Sequence, residues 1–534
     1  MFLEYYLSKD NSGKEKMMPI IYKLNITDPK THLVQVKMEI PLPKDKSKIK
    51  AYFSSNRINV VRFSACQEKG RILSHKIGKE LDYHIELEKE QKVLQIEYTI
   101  LANTIKPFCA WVITEFAHLP HEQVFLAIEG MENIECEVFF NFYQGWSKLN
   151  CGLNDISKKR DVFHYRANNI DEVFRATTEI GCYESDGFAL DNIEHHLLYQ
   201  GSFMDTEAIL KLKAKEVFQF LYCFCPKLAF SKLKIFSLLN DNYHGSYVYP
   251  ESVVIFQKSL SFRQENGSNI WATDLGKSAI EIILRHQFGL DNKNWWSLGL
   301  REYLGIKLAL KLGLISEKKY LQKIQKIIEK YQSNPGKKFQ SLEEAIYLNG
   351  EDQNYYLDLK SKATLYCFLA DILLFQNGAD LFEILGESSP KNFLKKRLPK
   401  KTFDDFELLY STCEEINLNT YLGRVGMELG VSEKNNLNTG LSFKVQDNRV
   451  FIDKVLLDSD AYKAGLYVGD EILAIDGIRF LPSDLKTFEN LKSCERLLIS
   501  RFGNISQVEL HVKNSKKSTQ LYLREKGEFI QANA

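Results

Sequence analysis

Apolar and polar residues alternate strictly in the first third of the chain. Between Val34 and Ile40 every second residue is apolar, and Gln, Lys and Glu occupy the positions between them. The segment Leu94–Ile100 shows the same alternation. A period of two buries one face of a strand and leaves the other face in water. Residues 19–170 are therefore predicted to form an N-terminal antiparallel β-sandwich.

The pattern changes over residues 171–424. Strands are still predicted at 217–224 and 252–256, but the apolar residues that follow recur every three or four positions, which is the spacing of helices. Helices are predicted over 314–331 and 362–375. This part of the chain is predicted to be a second, mostly helical domain.

The most apolar of these helices is predicted over Gly276–Phe288. Asp274 is expected to cap its first turn, and Gly289 is expected to end it. Isoleucine and leucine lie on several of its faces, so the helix is expected to be buried on nearly all sides.

A third pattern covers residues 425–525, where short strands alternate with glycine turns. One strand begins at Gly440–Phe443, a second follows at Val450–Val455, and Asp476–Gly477 marks a tight hairpin turn. A helix is predicted over 484–492, with two further strands after it. This order predicts a small third domain built on a sheet.

Composition narrows the classes of function. The chain has 70 Lys plus Arg against 69 Asp plus Glu, so its charge favours neither nucleic acid nor an anionic membrane as a partner. No apolar run reaches the ~18 residues of a membrane span. Residues 1–18 do not have the order of a secretory signal, and 526–534 are also expected to be a tail. The 10 scattered cysteines contain no CxxC pair, which favours reduced thiols and a cytoplasmic location.

The stretch from Ser278 to Tyr303 has the outline of a zinc-peptidase core. Such a core needs His-Glu-x-x-His on one helix, because the i, i+4 spacing aims both imidazoles at one metal and the Glu activates a metal-bound water. With His286 as the second histidine, the first falls on Ile282 and the Glu on Ile283. The third ligand, a Glu from the next helix, falls on Leu298. Hydrocarbon side chains offer a cation no lone pair.

The chain resembles the glycyl aminopeptidase family, and the resemblance covers nearly its whole length. It implies a multidomain α+β protein with an N-terminal β domain at 19–170, a thermolysin-like domain at 171–424 and a C-terminal PDZ domain at 425–525. The family's activity is the zinc-dependent removal of N-terminal residues from peptides. The segments that carry the resemblance are Tyr22–Val36, Val124–Gly130, Gly145–Trp146, Gly313–Ser316 and Asn334–Ala345.

The departures from the family lie in its catalytic segments. The Gly-Gly-Leu-Glu-His segment of the family appears here as Gly245–Tyr249, and its Tyr-Tyr-x-Lys-Gly helix appears as Leu359–Ala363. Lys360 consequently stands where the family has a tyrosine that stabilises the transition state. Together with Ile282, Ile283 and Leu298, this predicts a catalytically inactive relative that holds no metal.

Two other interpretations remain open. A displaced zinc site built from His244, His286 and Glu302 would keep the chain a metallo-aminopeptidase. His286 alone has a simpler explanation, because an imidazolium in the last turn of a helix complements the carbonyl end of its dipole. The second alternative is a purely structural role in which the PDZ module only supports the rest of the chain.

The remaining candidate for a function is the predicted peptide groove of the PDZ module. In that family the turn at Gly440 points backbone N–H groups at the carboxylate of a peptide, which then adds as a strand. Partners are therefore predicted to be the C-termini of peptides or proteins. The predicted groove residues are Gly440, Leu441, Ser442, Phe443, Phe488 and Leu491.

Overall fold

The structure of the protein is a computed structural model, and its Cα positions divide into two compact units. The first unit holds residues 1–219 and 227–282, and the second holds 220–226 and 283–534. The structure describes residues 7–9, 15–42, 47–54, 58–67, 73, 75–77, 82–87, 92–106, 108–158, 162–200, 207–225, 231–241, 243–258, 266–289, 294–345, 356–433, 439–485, 488, 496–510 and 517–523.

The N-terminal β domain is built around a seven-stranded sheet with the order β15-β16-β13-β3-β4-β9-β6. Its inward-facing residues alternate along β3, β4 and β9 as the sequence predicts, and Tyr22, Met38 and Ile96 are fully buried. The strands of this domain are β1 Leu7–Lys9, β2 Glu15–Met17, β3 Ile20–Ile26, β4 Leu33–Pro41, β5 Lys48–Tyr52, β6 Val60–Gln67, β7 His75–Ile77, β8 Asp82–Glu86, β9 Val93–Leu101, β10 Trp111–Val112, β11 Phe116–Pro120, β12 Ala127–Ile128, β13 Cys136–Phe142, β14 Lys148–Cys151, β15 Asn154–Asp155, β16 Phe163–Ala167 and β17 Thr177–Gly181.

Three expectations for this domain need correction. The sandwich is not wholly antiparallel, because β13 runs parallel to β3. Its boundary lies beyond residue 170, because β17 pairs with β11 in a four-stranded sheet and follows the short helix α1, Ile170–Arg175. The predicted tail at 1–18 contains a hairpin, in which β1 pairs with β2.

The first unit continues into a five-stranded mixed sheet with the order β18-β19-β20-β22-β21. The segment predicted as a strand at 217–224 lies instead mostly in helix α2. The elements here are β18 Glu184–Leu190, β19 Ile193–Gln200, α2 Glu207–Tyr222, β20 Lys232–Leu239, β21 Gly245–Tyr249, β22 Ser252–Gln257 and α3 Gly267–Phe288.

Helix α3 is the helix that the sequence places at the metal position, and it is longer than predicted. It begins at Gly267, so Asp274 lies inside the helix and is not its N-cap. The Asp274 carboxylate accepts a hydrogen bond from Gln257 Nε2 at 2.9 Å. Gly289 ends the helix as predicted, with φ +63° and its N–H bonded to Arg285 O at 3.0 Å.

The second unit is helical up to residue 425 and then forms sheets. Helix α4 is capped by Asn294, whose Oδ1 accepts the Trp296 N–H at 2.9 Å, and α6 is capped by Asp358, which accepts the Ser361 N–H at 3.1 Å. The helices are α4 Trp295–Lys311, α5 Glu317–Ser333, α6 Leu359–Gln376, α7 Pro390–Arg397, α8 Lys400–Ser411 and α9 Leu418–Leu422.

The C-terminal part of this unit has the predicted order of strands and turns. One sheet has the order β24-β25-β26-β28-β29 and contributes to a small hydrophobic core. In addition, β27 pairs with β26, and β23 pairs with β30. Of the predicted helix at 484–492, only residues 484, 485 and 488 lie within the described ranges. The elements are β23 Met427–Glu433, β24 Leu441–Gln446, β25 Arg449–Val455, α10 Asp460–Lys463, β26 Glu471–Ile475, β27 Ile478–Arg479, β28 Arg496–Arg501, β29 Asn504–Glu509 and β30 Lys517–Leu523.

Candidate functional site

Three of the residues that the sequence predicts to replace the family's metal-binding and catalytic side chains are buried hydrocarbons. Ile282 and Ile283 lie one turn before His286 on α3, and their exposed fractions are 1% and 2%. Leu298, in the first turn of α4, is 4% exposed. A zinc site needs three or four N, O or S ligands, and of the three predicted ligand positions only His286 offers one. These residues therefore do not fit zinc.

Helices α4 and α6 approach each other closely beside Leu298. A Cβ on Gly299 would lie 2.6 Å from the carbonyl oxygen of Ala363, so only glycine allows this backbone contact. The close approach places the first turn of α6 against the middle of α4. It therefore determines which side chain of α6 reaches the residues that follow Leu298.

The side chain that reaches α4 is Lys360. Its Nζ lies 2.9 Å from Glu302 Oε1. The Glu302 side chain is 9% exposed, whereas that of Lys360 is 55% exposed, so the carboxylate is buried and the ammonium lies at the surface. Lys360, which the sequence predicts to replace the family's tyrosine, is thus an ionic partner of Glu302, the carboxylate considered as a displaced zinc ligand.

A second ionic network fixes α4 farther along its length. The buried Lys307 Nζ lies 2.8 Å from Asp371 Oδ1 and 2.8 Å from Asp380 Oδ1. Tyr303 donates to the other oxygen of Asp371 at 2.6 Å, and Tyr303 and Tyr320 hydroxyls are 3.1 Å apart. The charges are paired within the protein, which indicates a structural role.

Lys362 is the lysine that matches the family's Tyr-Tyr-x-Lys-Gly helix. It is 1% exposed, and its Nζ donates to the carbonyl oxygen of Thr412 at 3.2 Å. Burial lowers the pKa of its ammonium, although the nearby Cys413 and Glu344 act in the opposite direction. Its hydrogen bond connects α6 to the segment after α8 and does not reach the Glu302 carboxylate.

The other members of the displaced zinc site have partners within their own units. His244 Nε2 lies 3.7 Å from Asp274 Oδ2, in the first unit. Glu302 is paired with Lys360 in the second unit. Among the residues that the structure describes, no three His, Cys, Asp or Glu side chains converge in a way that could hold a metal ion.

The predicted peptide groove lies along β24. This strand ends the order of its sheet among the described strands, with β25 as its neighbour on the inner side. Gly440 begins it with φ +78°, and a Cβ there would lie 2.2 Å from Ser459 Cβ. The turn therefore needs glycine for its conformation and for its packing.

Three aromatic rings meet beside this strand. The centroids of Phe443 and Phe488 are 5.3 Å apart at an interplanar angle of 84°, and that of Phe480 is 5.7 Å from that of Phe488. Leu441 and Phe443 are half-buried against the same core. Leu491, also predicted to line the groove, lies outside the described residues. The structure thus brings five of the six predicted groove residues onto β24, its opening turn and the helical segment beside it.

The backbone amides of this turn are not all equivalent. The Leu441 N–H donates to Thr439 Oγ1 at 3.2 Å. The register between β24 and β25 shifts between Ser442 and Phe443, which marks a β-bulge at the position where a carboxylate would bind. The Leu441 N–H therefore has a hydrogen-bond partner within the chain.

Two parts of the chain match known families. Residues 21–182 match the Peptidase M61 N-terminal domain, and residues 286–364 match the M61 glycyl aminopeptidase. Together the two matches cover less than half of the chain, and they show a likeness to Peptidase M61 domains over those residues. The first match ends at residue 182, which agrees with the observed position of β17. No curated protein sequence matches the chain.

The fold was also compared with solved structures. An aminopeptidase N family protein from Idiomarina loihiensis matches with a TM-score of 0.81 and 16% identity, over 96% of this chain and 99% of that one. Yeast LTA4 hydrolase matches with a TM-score of 0.42 and 11% identity over 76% and 67% of the two chains. An M1 zinc metallopeptidase from Deinococcus radiodurans gives 0.44 and 9% over 76% and 95%. The first likeness shows the fold, and the two others are too weak to support an inference.

Among the helices of the described residues, none combines the length and the apolar character needed to cross a bilayer.

Proposed function

We propose that this protein is a catalytically silent relative of the M61 aminopeptidases that binds the C-termini of peptides or proteins along β24. The observation that carries the proposal is the combination of a strand at the edge of its sheet, a glycine turn at its start and an aromatic cluster beside it. This is the geometry by which an extended peptide adds to a sheet and is held at its carboxyl end.

Main-chain hydrogen bonds would supply part of the affinity. A peptide that extends the sheet can bond to the outer edge of β24, which runs from Leu441 to Gln446. The amides of Ser442 and Phe443 are the groups proposed to bind the carboxylate, because the Leu441 N–H already bonds to Thr439. A carboxylate that accepts N–H bonds in this way needs no cationic side chain.

The aromatic cluster would determine the chemistry of the last residue of the ligand. Phe443 is half-buried, and Phe480 and Phe488 are buried behind it, so the space beside β24 is apolar. A small or aliphatic last side chain fits such a site. We expect micromolar affinity, about −8 kcal/mol.

Four replacements support the silent peptidase part of the proposal. Ile282, Ile283 and Leu298 are buried hydrocarbons that cannot bind a cation. The Lys360 ammonium pairs with the Glu302 carboxylate. A metallo-aminopeptidase with a displaced site remains the alternative, and the use of Glu302 as a ligand would require the loss of its pairing with Lys360.

Titration of the full chain with a library of fluorescent C-terminal peptides tests the proposal. We expect saturable binding of peptides with a free carboxylate, and loss of binding when a hit peptide is amidated. Phe488→Asp should abolish binding. Ile478→Asp, at a residue of β27 that is 75% exposed, should leave binding unchanged.

The titration is repeated with a variant that lacks residues 529–534, which lie outside the described residues. If no peptide binds in either form, or if amidation makes no difference, then β24 is not a peptide site and the structural alternative is preferred.

A further inference from the structure

The hairpin between β28 and β29 has an unusual residue at its tip. Phe502 and Gly503 form a two-residue loop with φ of +50° and +83° between the paired residues Arg501 and Asn504. A loop of this kind needs positive φ at both positions, which Asn, Asp and Gly tolerate and a bulky residue does not. Phenylalanine therefore strains this turn.

The same chain contains three matched turns without this strain. Each is a two-residue loop with positive φ at both positions, joining adjacent antiparallel strands. They are Asp191–Asn192, Asp447–Asn448 and Asp476–Gly477. Each uses residue types that favour the conformation. The departure at Phe502 is thus specific to one hairpin.

Phe502 does not compensate for its strained backbone by packing within its own chain. Its side chain is 100% exposed. A second turn nearby also presents apolar residues, because Tyr467 and Val468 are each 62% exposed. Burial of these side chains by another surface would offset the strain and the exposure together.

The base of the hairpin is held in place. Arg501 donates to both carboxylate oxygens of the buried Asp470 at 2.7 Å, and its guanidinium lies 4.5 Å from the centroid of Tyr467. This bidentate pair connects the Tyr467 turn to the residue before Phe502. The two apolar turns therefore form one preorganised surface, which we call the Phe502 surface: Tyr467, Val468, Phe502 and Ile505.

Strand β29, which leads away from the tip, is the last strand of its sheet among the described strands. Its side chains from Asn504 to Val508 carry no charge, and Ile505 is 66% exposed. Edge strands of monomers are usually protected by charged residues or proline. An uncharged edge beside an exposed aromatic residue is suited to pair with another strand.

We propose that the Phe502 surface and the edge of β29 bind the same surface of a second copy of this chain. Antiparallel pairing of two β29 strands across a two-fold axis places each strand against itself, and the absence of charge from 504 to 508 removes like-charge repulsion at that axis. The formal net charge of the chain is only +1, so two copies do not repel each other strongly. Asp470 neutralises Arg501, which leaves the tip without the free cation that would favour an anionic membrane.

Sedimentation velocity of the full chain from about 1 to about 200 µM tests the proposal. We expect a monomer–dimer equilibrium. Phe502→Asn should raise the dissociation constant at least about tenfold and also raise Tm, because it removes the anchor and relieves the turn. Ser506→Lys should weaken the dimer as well, more strongly at low salt. Ile478→Asn, at the exposed residue after the Asp476–Gly477 turn, is the matched control and should leave the dissociation constant unchanged.

A chain that stays monomeric at the highest concentration, or a dimer unaffected by Phe502→Asn and Ser506→Lys, overturns the proposal. Binding of the monomer to neutral phosphatidylcholine vesicles, lost in Phe502→Asn, would assign the surface to a membrane instead. The result does not depend on the β24 groove, because neither Phe488 nor the peptide ligand takes part.

Discussion

Lys360 Nζ lies 2.9 Å from Glu302 Oε1, and this pair brings together two residues that the sequence marks separately. Lys360 is predicted to stand where the family has a tyrosine, and Glu302 is the carboxylate one turn beyond Leu298. The ammonium lies beside a buried carboxylate and partly neutralises it. The pair thus gives the acidic side chain on α4 a cationic partner within the protein.

Removal of the ammonium should destabilise the second unit. Lys360→Ala removes the nearer cation of the buried Glu302 carboxylate and leaves Arg301 Nε at 4.0 Å from the same oxygen. We expect a loss of about 1–3 kcal/mol in the free energy of unfolding. The exposure of Lys360 keeps the effect in the lower part of this range. Urea denaturation measures it. Lys318→Ala, at an exposed position of α5, is the control and should change the free energy by less than about 0.5 kcal/mol. Equal effects of the two variants would show that Glu302 does not depend on Lys360.

Restoration of the family's metal-binding residues on α3 should also be destabilising. Ile282→His combined with Ile283→Glu places an imidazole and a carboxylate at positions that are 1% and 2% exposed. We expect a loss of roughly 2–5 kcal/mol and no gain of aminopeptidase activity. Ile282→Val tests the site with a smaller hydrocarbon and should cost about 0.5–1.5 kcal/mol. An unchanged or raised melting temperature of the double variant would mean that water already reaches these positions.

The stability of the first unit should fall below neutral pH. His121 is buried, with Nδ1 3.0 Å from Val173 O and Nε2 2.7 Å from Thr178 Oγ1. Burial lowers its pKa to about 3, and burial also lowers the pKa of His195 to about 4. At pH values between the ordinary histidine pKa and these two lowered pKa values, the unfolded chain therefore binds more protons than the folded chain. Each histidine should reduce the free energy of unfolding by about 1.4 kcal/mol per pH unit below about pH 6.5.

Thermal unfolding between pH 7.5 and 5 measures how steeply the stability falls with pH. The contribution of His121 is measured by its substitution. His121→Gln should be less stable than the natural protein at pH 7.5 and should show a shallower decline toward pH 5. A decline of the same steepness in His121→Gln would show that other groups cause it.

The strands were the most predictable part of the fold. Strict alternation identified β4 and β9, because one buried face and one wet face leave a clear period of two. The error at 217–224 has a physical cause. Its run of aromatic and apolar residues has high strand propensity. The segment is nevertheless the end of a helix that begins ten residues earlier, at Glu207. The start of α3 was missed for a related reason, since an aspartate inside a helix resembles an N-cap.

The positions that we interpret as replaced metal ligands come from the sequence alone, because a motif has fixed spacing along one helix. The pairs Lys360–Glu302 and Lys307–Asp371 could not, because they join residues 58 and 64 positions apart on different helices. A lysine at 307 inside an otherwise apolar helix was the available signal, since a buried lysine needs an anionic partner. The sequence does not identify that partner.

Zinc analysis of protein purified without chelator tests the central claim most directly. The account predicts well under one equivalent of zinc per chain and no aminopeptidase activity, because Ile282, Ile283 and Leu298 stand at the ligand and base positions. His286→Ala should leave the metal content unchanged. Near one equivalent of zinc per chain, lost together with aminopeptidase activity in His286→Ala, would contradict the account.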